Sequence, residues 1–327
     1  MTRLPTLRLS LLAGAAAALL AARKIANAPP DPDLAARAKL AAASGPWTHD
    51  YITVNNLRFH YAEMGRHDAP LVILLHGFPE CWYEWARIMP RLATEGDFRV
   101  VAPDMRGYNL TDKPQGIANY TLDKLASDID GLIHALGYTS AYLVAHDWGG
   151  GVAWQVATEY PQSIDKLVII NAPHPDRYSE LIKSGSPQLL RSYYIFLFQI
   201  PILAEAMARL TLRNALRNSA IVPGAFSDDA LDVYMNAISQ PGAITAMLNY
   251  YRAGLRHQPT SYSRDRQITS PTLLIWGMQD FALVPELSEG LTRWIPNLEV
   301  QQIEDAGHWV PEERPTQLTN SLLQFLK

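Results

Sequence analysis

The chain predicts an α/β fold in which a doubly wound, mostly parallel β-sheet carries an inserted helical segment. Three observations lead there. Continuous apolar runs of strand length, such as Leu71–Leu75 and Leu167–Ile170, have the pattern of strands buried on both faces of a parallel sheet. These runs alternate with segments of helical periodicity, as in Leu122, Leu125, Ile129, Leu132, Ile133 and Leu136, and alternation of that kind builds βαβ units. The alternation then stops after Asn171 for about 100 residues, although a crossover needs only about a dozen.

Taken in order, the chain opens on a leader, residues 1–28. Arg3 and Arg8 precede the uncharged run Leu9 to Ala22, and Arg23 and Lys24 follow it. A bilayer span needs roughly 20 apolar residues, so the run suits a short signal anchor or a signal h-region. Ala26-Asn27-Ala28 resembles a cleavage site, but Pro29 directly after it disfavours processing. The expectation is a membrane-associated protein held by residues 9–22, with an exported or a cytoplasmic protein as the alternatives. Residues 29–46, with Pro29, Pro30, Pro32 and the Ala-rich, helix-prone Leu34 to Ala43, read as a linker.

The α/β core is expected over residues 47–172 and 270–327. Tyr51 to Val54 and Leu57 to Tyr61 alternate about Asn55-Asn56, which predicts a hairpin. Strands are expected at Leu71–Leu75, Phe98–Ala102, Ala141–Ala145, Leu167–Ile170, Thr272–Trp276 and Leu298–Ile303, with a closing helix over Pro315–Leu326. Residues 173–269, dense in helical periodicity at Leu189–Leu197 and Ala230–Ile238, are expected to form a lid.

Composition narrows the partners. The chain is 48% hydrophobic and 18% charged with a net charge of -4, and no basic stripe invites nucleic acid. Cys81 is the sole cysteine, so no intramolecular disulfide can form, and it reads as a small apolar residue. Nothing points to a metal cluster or a cofactor.

The chemistry centres on Ala141-Tyr142-Leu143-Val144-Ala145-His146-Asp147-Trp148-Gly149-Gly150-Gly151, which reads as strand, sharp turn and helix with Asp147 at the apex. A strained turn of this type needs small residues two before and two after its apex, and Ala145 and Gly149 supply them. A carboxylate at the apex is already an anion and can attack a saturated carbon without a base. Beyond the strand Thr272–Trp276 comes Asp280, and beyond the last strand comes His308. Both positions fall at carboxyl ends of strands, beside the Asp147 turn. In that order His308 is the candidate base, and Asp280 would fix its tautomer and stabilise the imidazolium.

Five motifs then carry a resemblance: His76-Gly77-Phe78-Pro79-Glu80, Asp104-Met105-Arg106-Gly107-Tyr108, His146-Asp147-Trp148-Gly149-Gly150, Asp280-Phe281-Ala282-Leu283-Val284-Pro285 and Gly307-His308-Trp309. From about Trp47 to Lys327 the chain resembles the epoxide hydrolases of the α/β-hydrolase fold, with Ala145 where that family usually has Gly. The resemblance implies two lid tyrosines as acids, Tyr251 in Asn249-Tyr250-Tyr251-Arg252 and Tyr194 shortly before Phe198-Gln199-Ile200-Pro201. It implies an ester on Asp147, hydrolysed by water that His308 activates, with the backbone N–H groups of Phe78 and Trp148 as the oxyanion hole. The expected partners are a small apolar epoxide and water.

Other roles stay structural on this reading. His76 fixes its loop, His146 points away from substrate, and Glu80 and Arg106 are ion-pair partners. Asn171 cannot serve as the acid. Tyr178, Tyr193, Tyr234, Tyr250 and Tyr262 compete for the tyrosine roles, and Phe196, Phe198, Ile200, Leu203 and Met207 suggest an apolar pocket. The alternatives are a haloalkane dehalogenase with the same nucleophile and a catalytically silent receptor. A dehalogenase needs a second indole donor, and residues 173–269 contain no tryptophan.

Overall fold

A computed structural model describes residues 16–257 and 267–327. Eight strands form one sheet in the order β1-β2-β4-β3-β5-β6-β7-β8. They are β1 Thr48–Val54, β2 Leu57–Met64, β3 Leu71–Leu75, β4 Arg99–Pro103, β5 Ala141–His146, β6 Ile164–Ile170, β7 Thr272–Gly277 and β8 Leu298–Ile303. β1 and β2 pair antiparallel, as do β2 and β4, and the remaining neighbours are parallel. The β1–β2 turn holds Asn55 and Asn56 at φ 52° and 61°. Two successive positive φ values match the right-handed strand twist, and asparagine tolerates them.

The central strands β3 and β4 are buried at every position, because helices cover both faces of the sheet. One apolar core lies under α4 (Leu122–Ala135), α5 (Asp147–Glu159) and part of the insertion. The other packs α3 (Met89–Glu95) and α13 (Pro315–Leu326) on the opposite face. Between β6 and β7 the chain forms α6 Pro175–Lys183, α7 Gln188–Arg191, α8 Tyr193–Leu197, α9 Leu203–Ser219, α10 Asp228–Ser239 and α11 Ala243–Arg256. The short α12 (Val310–Glu313) follows His308.

The helix-prone stretch of the expected linker forms a helix that docks on the insertion. A helix, α1, runs over residues 16–26, and α2 covers Pro32–Ala42, capped by the Asp31 side chain. α2 docks on α10: Ala38 and Ala41 are buried, Arg37 reaches Asp232 at 2.6 Å, and Arg209 of α9 donates to the Ala28 carbonyl at 2.9 Å. An alanine-rich stretch buries little area per residue, and here the ion pair and the carbonyl contact supplement it. Among the described residues no helix is long and apolar enough to cross a membrane. The apolar run expected to anchor the chain lies partly outside them, since residues 1–15 are not described.

Candidate active site

Four loops converge at the carboxyl ends of the parallel strands. β5 ends in Asp147, which takes φ 46°, a left-handed conformation costing a non-glycine residue about 1–3 kcal/mol. Close packing holds the turn in place. A Cβ on Gly149 would lie 2.4 Å from the backbone oxygen of Leu75, and one on Gly77 would lie 2.8 Å from the Asp147 Cβ. Glycine is therefore needed where the turn meets the end of β3.

His308 follows β8 and is buried. Its Nδ1 sits 2.7 Å from Asp280 Oδ2, and its Nε2 sits 3.6 Å from Asp147 Oδ2. A carboxylate can only accept, so Nδ1 carries a proton toward Asp280 and, in the imidazolium, Nε2 carries a second one that faces Asp147. Burial works to lower the His308 pKa, but the carboxylates of Asp280 and Asp147 outweigh it and hold the imidazole well above its usual range. Burial likewise works to raise the Asp147 pKa. The His308 hydrogen bond and charge outweigh that, and Asp147 stays below the usual carboxylate range.

Asp280 is fixed from every side. Its Oδ1 accepts from the N–H groups of Ala282 at 2.7 Å and Leu283 at 2.9 Å, and its Oδ2 also accepts from Asn171 Nδ2 at 2.7 Å. Asn171 in turn accepts the Gly277 N–H at 2.8 Å, and Arg191 of α7 donates to the Asp280 carbonyl at 2.6 Å. The sequence excludes Asn171 as the acid but does not reveal its bracing role. The only available signal is a polar residue ending an otherwise apolar strand.

The loop after β3 supplies a donor. The N–H of Phe78 reaches Asp147 Oδ1 at 2.8 Å. Trp148 is the first residue past the apex, and its N–H lies in the first turn of α5, where backbone donors lack intrahelical acceptors. His76 fixes this loop by accepting the Met105 N–H at 3.0 Å and donating to Gly77 O at 3.0 Å.

Behind the apex lies a wholly buried group. His146 Nε2 donates to the His308 carbonyl at 2.9 Å, and its Nδ1 is 2.9 Å from Glu84 Oε1 and 3.7 Å from Glu80 Oε2. Glu84 Oε2 accepts the Gly77 N–H at 2.8 Å. Because a carbonyl only accepts, Nε2 must carry a proton, and the Nδ1–Glu84 contact then requires another proton between its two atoms. Burial pushes Glu80 and Glu84 well above the usual carboxylate range. Glu80, Glu84 and His146 also place three donor atoms within 4.8 Å of one another, a geometry able to hold a cation as well as shared protons and one that the sequence does not show. Of the two expected ion-pair partners, Arg106 pairs bidentately with Asp128 at 2.6 and 2.7 Å, whereas Glu80 faces His146.

The insertion brings two tyrosines close enough to Asp147 for its charge to act on both hydroxyls. Tyr194 and Tyr251 stand edge to face with centroids 5.9 Å apart, and Tyr251 packs on Phe78, Phe198 and Trp148 at 5.2, 5.0 and 5.0 Å. Burial, then the Asp147 charge, raises both hydroxyl pKa values well above 10, so both remain O–H donors. Their competitors are committed elsewhere. Tyr178 bonds Ser192 at 2.7 Å, Tyr234 bonds Glu312 at 2.5 Å and Tyr250 bonds the Arg106 carbonyl at 2.7 Å. Tyr193 is 65% exposed, and Tyr262 lies outside the described residues. A cavity of about 330 Å³, lined by Leu190, Arg191, Tyr193, Tyr194, Phe281 and Ala282, opens beside Tyr194.

The expected apolar pocket needs correction. Phe198 is buried and Met207 half-buried, but Phe196, Ile200 and Leu203 face outward. Helical spacing marks residues that share a face without saying which side of the helix meets the protein.

Comparison with known proteins agrees with this architecture. Residues 70–315 match the family described as the alpha/beta hydrolase fold. The chain is 41% identical over 284 residues to the Bacillus subtilis AB hydrolase superfamily protein YfhM, covering 85% of this chain and 97% of that one. It is 36% identical over 291 residues to human epoxide hydrolase 4, covering 86% and 79%. The crystal structure of Bacillus megaterium epoxide hydrolase in complex with an inhibitor superposes with a TM-score of 0.76 at 31% identity, covering 85% of this chain and 99% of that one. With a buried acid–imidazole pair facing an aspartate at the turn, two tyrosines within reach of its charge and relatives of this kind along most of its length, the chain belongs to the epoxide hydrolases of the α/β-hydrolase family.

Proposed function

We propose that the protein hydrolyses an apolar epoxide to a vicinal diol through an ester on Asp147. The observation that carries this reading is the placement of His308 Nε2 3.6 Å from Asp147 Oδ2 while Phe78 N–H holds Oδ1 at 2.8 Å. That arrangement separates the two carboxylate oxygens by role. Oδ2 attacks the epoxide carbon, the carbon–oxygen bond opens, and the hydroxyls of Tyr194 and Tyr251 polarise and protonate the departing oxygen. Water then loses a proton to His308 Nε2 and adds to the ester carbon, while Oδ1 takes the negative charge in the hole formed by the Phe78 and Trp148 N–H groups. Collapse breaks the Cγ–Oδ2 bond: the departing Oδ2 takes a proton from the His308 imidazolium to complete the diol, the water oxygen takes its place, and the proton that oxygen still carries restores the tyrosine hydroxyl.

The atom count supplies the test. Incubating excess enzyme with styrene oxide or a fatty-acid epoxide in heavy-oxygen water for one turnover is expected to leave label in the Asp147 peptide and none in the diol. Label in the diol after one turnover would overturn the ester route, and halide release from alkyl bromides without diol formation would favour a dehalogenase. The acid role has its own measurement: Tyr251→Phe and Tyr194→Phe are each expected to slow ester formation by about 10²-fold, within the usual range for general acid catalysis. A stopped-flow rate equal to that of the parent for either variant removes that tyrosine from the mechanism.

We further propose that the apolar residues 9–22, between their flanking cations Arg3, Arg8, Arg23 and Lys24, hold the enzyme at a membrane. Such a leader gathers the enzyme where apolar substrates accumulate.

A further inference from the structure

Helices on a protein surface turn polar residues outward, yet α7, α8 and the turn into α9 do the opposite. Gln188, Ser192 and Phe198 point inward and are buried. The outward positions carry Leu190, Tyr193, Phe196, Ile200 and Leu203, which are 78%, 65%, 57%, 46% and 53% exposed. Of seventeen large apolar side chains exposed among the described residues, eight fall within residues 189–210. Isolated exposed leucines are ordinary, but a contiguous apolar face marks an interaction site.

Two further observations say what covers it. Leu190, Tyr193 and Phe281 line a cavity together with Tyr194, a tyrosine whose hydroxyl feels the Asp147 charge, so an occupant of this face also covers that cavity. A second copy of the chain seated there would close the cavity, whereas a lipid surface would fill it with apolar solutes. At the far end of the face, Arg209 holds the Ala28 carbonyl at 2.9 Å. That contact ties α1, with Leu19 and Leu20 exposed and Arg23 and Lys24 beside them, to the same end of the molecule as α9. The exposed leucines and the cations of α1 thus lead, through Ala28, to the helix that carries the far end of the face.

We propose that the outward face of α7 to α9 lies on a phospholipid bilayer with the cavity beside Tyr194 turned to the lipid, so that the substrate is an epoxide dissolved in the membrane. Only the identity of the substrate rests on the reading above; the surface contact does not. The face makes a contact separate from any anchoring by residues 9–22, and it orients the enzyme.

The test uses the full chain carrying Ile200→Cys and an environment-sensitive fluorophore, with Gln317→Cys on α13 as the control. Cys81 is fully buried and takes no label. On adding phosphatidylcholine vesicles doped with phosphatidylserine, the residue-200 label is expected to shift to shorter wavelength and to lose access to an aqueous quencher by about three-fold, while the residue-317 label does neither. Vesicles that carry the protein but leave the residue-200 label fully quenchable would overturn the proposal and leave the leader as the sole anchor. Failure to bind vesicles would overturn it as well, and so would a shift that appears without lipid and grows with protein concentration, the signature of a second copy. Kinetics give an independent reading. The triple variant Phe196→Ser/Ile200→Ser/Leu203→Ser is expected to hydrolyse a vesicle-dissolved fatty epoxide about ten-fold more slowly while leaving water-dissolved styrene oxide unaffected, because bilayer contact scales with buried apolar area. Equal loss on both substrates, or on neither, would overturn the proposal. If the parent chain turns over neither epoxide, the activity assignment fails and the label experiment still decides the surface.

Discussion

Replacing Asp147 with asparagine is expected to remove diol formation, with kcat falling by a factor on the order of 10⁴ or more, as when a nucleophile is removed from other hydrolase triads. The amide keeps the shape of the side chain, and its carbonyl oxygen can still accept the Phe78 N–H that now bonds Oδ1 at 2.8 Å. It lacks the charge that makes Oδ2 a nucleophile. Folding should be nearly untouched, so a thermal midpoint close to that of the parent, measured beside the lost activity, separates chemistry from stability. A second readout follows from the electrostatics. Burial works to lower the His308 pKa, and the carboxylates of Asp280 and Asp147 raise it by more. Removing one of those charges must lower it, so the imidazole resonances should titrate at lower pH in Asp147→Asn. Turnover retained at the parent rate would mean that another group attacks the substrate.

Some of this architecture is legible in the sequence, and some is not, for physical reasons. The strands β3, β4, β5 and β7 and the apolar half of β6 declare themselves because burial on both faces demands apolar runs. The edge strand β8 instead mixes Glu299, Gln301 and Gln302 with its apolar residues. The apex at Asp147 declares itself because its turn tolerates only small neighbours: a side chain at Gly149 would bring its Cβ within 2.4 Å of the Leu75 carbonyl oxygen. Which tyrosine presents its hydroxyl is different. Tyr250 and Tyr251 are adjacent, and only the packed fold sends the first to the Arg106 carbonyl and leaves the hydroxyl of the second within reach of the Asp147 charge. Asn171 and Glu84 stay hidden because each acts through contacts far along the chain, over 109 residues to Asp280 and 62 residues to His146. Phe196, Ile200 and Leu203 mislead because periodicity fixes a shared face but not its direction.

Replacing His308 with glutamine should divide the reaction at its midpoint. On the proposed mechanism ester formation needs the Asp147 anion and the tyrosine acids but not the base. Water attack needs the base, whose loss typically costs 10²- to 10⁴-fold, so the ester should accumulate. Because an epoxide has no leaving group that departs, the adduct on the peptide containing Asp147 should carry the full mass of the epoxide. Halide displacement would instead add only the alkyl portion of a haloalkane. The same logic gives the sign of the pH dependence in the unsubstituted enzyme. Esterification removes the Asp147 charge, one of the groups that hold the His308 pKa up, so the imidazole releases its proton more readily when a neutral base is required. When hydrolysis limits turnover, kcat should therefore rise with pH through the lowered pKa of the ester form. The alkaline limb set by the tyrosines should lie well above pH 10, because burial and the Asp147 charge both raise their hydroxyls. A glutamine variant that still releases diol at the parent rate, or one that forms no adduct while Asp147 remains ionised, would remove His308 from the hydrolytic step.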